Sequence, residues 1–279
     1  MTVSRTRLTG LFGHPVAHSK SPQMHNAAFA HLGLDFVYAA FDVLPERVGQ
    51  AVESIRTLGL RGVNVTIPHK VAVMPFLDEI SEAARRIGAV NTIVNDEGRL
   101  IGYNTDGIGY LSALREETGF AAQGKSVLLL GAGGAARAAA TQLALDGASR
   151  VTLAVRNPDK AAEVLSSLAD LTQAQAVLLD EVAATVGEYD LVVNTTPVGM
   201  HPHVDEVPLD TTLLVPGQLV SDLIYNPRET RFLQEAKARG CGVSGGLGMF
   251  IHQGAEAFRL WTGVEAPTDV MRKTVESCL

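Results

Sequence analysis

Residues 127–130 form a short continuous apolar run that passes directly into Gly131-Ala132-Gly133-Gly134-Ala135-Ala136, and an alanine-rich helical pattern follows. An apolar run of this length bounded by glycine reads as a fully buried strand, and glycines between a strand and a helix allow the tight turn the join requires. Strand, glycine turn and helix in that order confine this part of the chain to a parallel sheet with crossover helices. The pattern continues with a strand at 151–155, a helix at 158–169 and strands at 176–179 and 191–194. The order βαβαββ fits a doubly wound lobe, and a further strand at 219–223 would extend its sheet.

The first hundred residues alternate in the same manner: strand 8–12, helix 22–32, strand 36–43, helix 45–58, strand 62–67. Two more short runs, 90–95 and 100–103, flank Glu97-Gly98, a turn signal for a hairpin-like addition. This lobe is therefore predicted to carry a mixed, mainly parallel sheet. A chain of 279 residues accommodates two such lobes comfortably. Gly245 to Gly248 opens a helix at 249–262, and a last helical stretch starts near Pro267; pattern alone does not say where these pack.

An apolar fraction of 46% is ample for two cores, while 19% charged residues and a net charge of −7 argue against nucleic acid or an anionic membrane as partner. Cys241 and Cys278 lie far apart and outside any metal-ligand spacing, which fits free thiols in a reducing compartment. The start, MTVSRTRLTGLFGH, has two arginines without a following apolar run, unlike a secretory signal. The longest apolar stretch, 127–145, is interrupted by glycines, Arg137 and Gln142 and does not read as a membrane span. A soluble cytoplasmic protein is expected, without repeats or low-complexity segments.

A dinucleotide fingerprint needs a glycine for the turn, a second for close approach of the pyrophosphate and a small third residue for helix packing. Gly131, Gly133 and Ala136 occupy these places, with Ala132, Gly134 and Ala135 completing the loop, and the helix amino end offers N–H groups to phosphates. At the end of the next strand stand Arg156 and Asn157, with Lys160 one turn on. Two cations suit a 2′-phosphate, hence NADP, although Asp159 could instead serve a 2′-hydroxyl and Asn157 also fits a plain N-cap before Pro158.

In the first lobe, Asn64-Val65-Thr66-Ile67-Pro68-His69-Lys70 reads as a strand ending at Pro68, which sets an amide, a hydroxyl and an ammonium at a strand's carboxyl end, where ligands bind in open α/β sheets. A solvated surface lysine is the plainer reading of Lys70 taken alone. Ser19-Lys20-Ser21-Pro22 places two hydroxyls beside a helix start, suited to a carboxylate, with Ser21 also a good N-cap. Tyr103-Asn104-Thr105-Asp106-Gly107 puts Asp106 at another helix start, either as a cap or as a partner for Lys70 in proton transfer. His14, His18 and His69 show no metal-ligand spacing, so no metal is expected.

Taken in order, GHPVAHSKSPQMHN, NVTIPHK, GAVNTI at 88–93, GYNTDGIG, GAGGAARA, NTTPVGM at 194–200 and GGLGMFIHQGAEAF at 245–258 resemble the shikimate dehydrogenase family over nearly the whole length. The resemblance implies a substrate-binding and catalytic domain, 1–106 completed by helices 245–279, and an inserted dinucleotide-binding domain, 107–244. It implies reversible NADPH-dependent reduction of 3-dehydroshikimate to shikimate, with substrate between the lobes. No nucleic acid or membrane partner is expected, and the protein is expected to be a monomer or homodimer. By matching motifs, Lys70 and Asp106 would be the catalytic pair. Ser19 and Ser21, helped by Tyr225, would hold the substrate carboxylate, and Asn64, Thr66, Asn91 and Gln253 the ring hydroxyls. Thr195, Gly246 and Met249 would join the glycine loop, Arg156, Asn157 and Lys160 at the cofactor. The family's strand-end pattern, Asn-Arg-Thr with a further arginine, reads Val155-Arg156-Asn157 with Lys160 here. An NAD-using quinate/shikimate dehydrogenase shares most motifs, but Arg156 offers no acceptor to a 2′-hydroxyl. A non-catalytic NADP-binding regulator would be expected to lack Lys70 or Asp106.

Overall fold

The computed structural model describes residues 6–278. The chain divides into two compact units, Met1–Thr105 with Gln253–Leu279, and Asp106–His252. Both are layered α/β structures, and among the described residues no helix is long and apolar enough to cross a membrane.

The first unit opens with β1 (Arg7–Gly13), α1 (Ser21–His31) and β2 (Phe36–Asp42), then α2 (Val48–Thr57) and β3 (Gly62–Val65). A two-residue β4 (Glu79–Ile80), α3 (Glu82–Ile87), β5 (Thr92–Asp96) and β6 (Arg99–Tyr103) follow. The sheet order is β2-β1-β3-β5-β6-β4. β1 is parallel to both β2 and β3, whereas β5 runs antiparallel to β3 and β6, giving the expected mixed sheet. The β5–β6 hairpin turns through Glu97 and Gly98, both at positive φ. The helix expected from Pro45 is split: Pro45–Arg47 form a 3₁₀ turn and α2 starts at Val48. From there Val48, Val52 and Ile55 recur at helical spacing and bury against Val63, Ile93 and Leu100 of the sheet.

The second unit runs α4 (Asp106–Thr118), β7 (Ser126–Leu130), α5 (Gly134–Leu145), β8 (Arg150–Val155), α6 (Ala162–Leu168), β9 (Gln173–Leu178), β10 (Leu191–Asn194), β11 (Leu219–Asp222), α7 (Arg231–Ala238) and β12 (Gly242–Ser244). Its order, β12-β11-β10-β7-β8-β9, is parallel throughout and reverses between β7 and β10. That reversal is the point where doubly wound sheets open a crevice at the strand carboxyl ends. Alanines line the buried face of α5, and close helix packing follows: a Cβ on Gly107 of α4 would lie 2.7 Å from the Ala138 carbonyl oxygen.

α8 (Gly246–Thr262) is one continuous helix, starting three residues before the expected Met249, and α9 (Thr268–Glu276) follows it. The boundary between the units falls inside α8, after His252. The later part belongs with the first unit, where Phe258 stacks on Phe29 with ring centroids 4.9 Å apart. There the Trp261 indole also donates to the Ile93 carbonyl at 3.1 Å, and α9 packs on α1.

Candidate active site

β3 stops at Val65 rather than at Pro68. Val65 N–H still reaches the Asn91 carbonyl and Thr66 N–H the Phe12 carbonyl, but from Ile67 the chain bends into a turn that carries Lys70. The Lys70 backbone carbonyl accepts from Val90 N–H at 2.8 Å, which anchors the turn beside the Ala89-Val90-Asn91 segment, and its side chain is half-buried. His69 beside it is fully buried, and its Nε2–H donates to the Val43 carbonyl at 2.6 Å, a structural role.

Asn64 is 6% exposed and sits in a network that local sequence patterns did not reveal. Its Oδ1 accepts from the Tyr38 phenol at 2.8 Å, while its Nδ2 donates to the Asn91 carbonyl at 3.2 Å and to Thr92 Oγ1 at 3.0 Å. Thr92 Oγ1 donates to Asn91 Oδ1 at 3.0 Å, and Thr105 N–H donates to the same oxygen at 2.8 Å. Asn91 Nδ2 in turn donates to Thr105 Oγ1 at 3.0 Å. Asn64 and Asn91 are thus brought together, with Thr66 following at the end of β3.

Ser21 is not the N-cap expected of it. Helix α1 begins at Ser21 itself, Lys20 holds the cap position without a side-chain bond, and Ser21 N–H donates to Ser19 Oγ at 3.2 Å. The helix starting one residue early leaves Ser21 at 6% exposure, with its hydroxyl near the Tyr38 phenol, where it offsets a small part of the rise that burial causes. Ser19, Ser21 and Asn64 therefore belong to one part of the first unit, around the Tyr38 phenol. Gln253, the first residue of the C-terminal return, is half-buried.

In the second unit Asp106 occupies the first position of α4 rather than its cap, where a carboxylate is favoured by the helix dipole. Tyr225 stacks on Phe250 with centroids 5.4 Å apart. At the turn after β7, Gly131 has φ +109°, and a Cβ there would lie 2.9 Å from Thr195 Oγ1, so this position requires glycine. Thr195 Oγ1 donates to the Leu130 carbonyl at 2.6 Å, closing the β7–β10 reversal. Gly133 caps α5 without a side chain, Gly134 and Ala135 are exposed beside it, and a Cβ on Gly133 or Gly134 would meet nothing within 4 Å. The amino end of α5 therefore faces open space with its first N–H groups unclaimed by a capping side chain, which fits a pyrophosphate.

Arg156 and Lys160 are exposed and have no carboxylate partner among the described residues, an arrangement that fits a dianionic 2′-phosphate. Asn157 caps the 3₁₀ turn Pro158–Ala161, its Oδ1 accepting from Asp159 N–H at 3.0 Å. Gly246 is pressed on the chain after β11, where a Cβ would lie 2.2 Å from the Leu223 carbonyl oxygen, and Met249 packs half-buried against the unit's core.

Sequence reasoning also missed Asp222, which is fully buried at the end of β11. Its carboxylate accepts from Asn194 Nδ2 at 3.1 Å, Ile224 N–H at 3.0 Å and the Thr230 hydroxyl at 2.8 Å. Burial pushes its carboxyl above the ordinary range, and the three donors oppose that. A lone aspartate after an apolar strand was the available signal. Among the described residues there is no group of three or more His, Cys, Asp or Glu able to hold a metal.

Three family patterns match in chain order. The shikimate dehydrogenase substrate binding domain matches residues 11–93, the shikimate / quinate 5-dehydrogenase pattern 113–207, and the shikimate 5'-dehydrogenase C-terminal domain 246–276. A shikimate dehydrogenase (NADP(+)) of Geobacillus kaustophilus is 51% identical over 273 residues, covering 98% of this chain and 99% of that protein. The crystal structure of shikimate 5-dehydrogenase from Thermus thermophilus with NADP(H) and shikimate is 40% identical, with TM-score 0.88 over 98% of this chain and 100% of that one. That of the Listeria monocytogenes shikimate 5-dehydrogenase with shikimate and NAD is 41% identical, with TM-score 0.92 over 97% and 96%. With two α/β units, an open glycine cradle at the strand-order reversal and relatives of this identity along nearly its full length, the chain belongs to the shikimate dehydrogenase family.

Proposed function

We propose that this chain catalyses the reversible, NADPH-dependent reduction of 3-dehydroshikimate to shikimate, the step that serves chorismate and aromatic amino acid biosynthesis. The observation that carries the reading is the open glycine cradle at the start of α5, with the unopposed cations Arg156 and Lys160 one strand away, in a chain of this family. NADPH, when bound there, supplies a hydride to the ketone carbon.

The Lys70 ammonium stabilises the alkoxide that develops on the ketone oxygen and gives it a proton. Asp106 orients the neighbouring hydroxyl. Ser19, Ser21 and Tyr225 take the carboxylate, and Asn64, Thr66, Asn91 and Gln253 take ring hydroxyls. Residues 131–135, Thr195, Gly246 and Met249 line the cofactor, with Asn157 beside the two cations. A cytoplasmic location accords with the free thiols Cys241 and Cys278.

A second reading, an NAD-using quinate/shikimate dehydrogenase, draws on Asp159 as an acceptor for a 2′-hydroxyl and on the NAD found in the Listeria structure. Turnover of 3-dehydroshikimate with NADPH and with NADH, together with quinate oxidation, separates the two. Preference for NADPH and for shikimate is expected; a strong NADH preference or faster oxidation of quinate would transfer the assignment to the second reading.

A further inference from the structure

We infer that Tyr38 is a positioning residue for substrate recognition: its phenol fixes the Asn64 amide so that the one polar capacity left on that amide is an acceptor for a substrate hydroxyl. The inference rests on the reading of Asn64 as a substrate ligand and assigns the residue that makes it one.

Tyr38 is held on every side. It is 2% exposed, and its ring lies flat on the His25 imidazole with centroids 4.5 Å apart and planes 10° apart. The Asn26 side chain bonds both its N–H and its carbonyl at 2.9 Å. Because β2 and β3 both flank β1, the phenol spans the middle strand to reach Asn64 Oδ1 at 2.8 Å. Burial pushes the phenol far above its ordinary range, so this donor keeps its proton at every working pH. Burial likewise lowers His25 to about 3, which keeps the stacked ring neutral beneath it.

The hydrogen-bond inventory then decides what Asn64 can recognise. A primary amide has two N–H donors and an oxygen with two lone pairs. Both donors are committed, to the Asn91 carbonyl and Thr92 Oγ1, and a backbone carbonyl can only accept, so the amide cannot be flipped. Tyr38 takes one lone pair of Oδ1, and the other remains. A hydroxyl can fill it as donor; a ketone or ether oxygen cannot.

Tyr38→Phe removes the oxygen and keeps the ring and its stacking. Steady-state kinetics of shikimate oxidation are measured for Tyr38→Phe, Asn64→Ala and the double variant, with thermal midpoints alongside. Expected is a rise of about tenfold in shikimate KM for Tyr38→Phe, with kcat within about twofold and KM for NADP+ unchanged. Asn64→Ala should raise shikimate KM at least as far, and adding Tyr38→Phe to it should raise it no further. Additive effects, or an unchanged KM in Tyr38→Phe while Asn64→Ala raises it, overturn the positioning role and leave Asn64 as a ligand. A normal KM in Asn64→Ala overturns the underlying assignment and the inference with it. A purely structural role for the phenol would lower the midpoint and the active fraction at constant KM, which also counts against it.

Discussion

Trp261 lies against Gly62 so closely that a Cβ on the glycine would stand 2.4 Å from the indole nitrogen. The same Cβ would be 2.2 Å from the Ile93 carbonyl oxygen, the group that accepts the indole N–H at 3.1 Å. Arg61 completes the seam by donating through Nε to the Trp261 carbonyl at 2.9 Å. One small residue at the start of β3 therefore decides whether the carboxyl end of α8 can dock. Gly62→Ala should cost about 2–4 kcal/mol, since it overpacks a rigid site and breaks the indole hydrogen bond. Urea unfolding measures this, and a midpoint like that of the parent would contradict it.

Lys70→Ala removes the proposed proton donor while leaving Asn64, Thr66 and the serines in place. Turnover should fall by about 100- to 10,000-fold, the usual worth of a positioned acid, with shikimate KM changed only a few-fold. Near-normal kcat would remove Lys70 from the chemistry.

Arg156→Ala takes away one of the two unopposed cations at the end of β8. KM for NADPH should rise by about ten- to a hundredfold, the worth of a charge-assisted bond, while KM for NADH barely moves. Kinetics with the two cofactors in parallel provide the check; equal effects on both would place the arginine elsewhere in function.

His25 gives a pH dependence with a definite sign. Burial alone lowers its pKa from about 6.5 to about 3, so the unfolded chain binds the proton first as pH falls. The stability contributed by the neutral ring is complete above about pH 6.5 and is lost as pH descends toward about 3. Between pH 7.5 and 5 the loss amounts to roughly 2 kcal/mol. His25→Phe keeps an aromatic ring against Tyr38 and Phe258 and removes this dependence, so its denaturation midpoint should fall less than the parent's over that interval. Parallel slopes would show that His25 titrates normally.

Elements defined by local apolar runs were legible in the sequence. Leu191–Asn194 is a strand because four residues are buried on both faces between Asp190 and Thr195, and the Gly131 turn follows from the strand and helix on either side. β4 and β12, at two and three residues, are too short to show a period. α7 carried its signal in Phe232, Leu233 and Ala236, with Thr230 as N-cap, and was still overlooked. Of the site, the groups that carry chemistry were readable because charge and hydroxyls stand out at strand ends. Tyr38 was not, since its partner lies 26 residues on and meets it only because β1 separates their strands. Ser21 misled for a different reason: a serine before proline is a good local cap, yet the helix starts at Ser21 itself and Lys20 takes the cap position without a side-chain bond.

The first unit draws buried side chains from both ends of the chain, with Phe258, Trp261 and Met271 coming from its last segment. A ribosome therefore completes the whole of Asp106–His252 before these three residues exist. The part of the protein that is made first is finished last, and until then β3 and β5 present the surface that Trp261 will cover. Folding of the nascent chain should follow the order of closure rather than the order of synthesis, with the inserted unit as the first cooperative body to form.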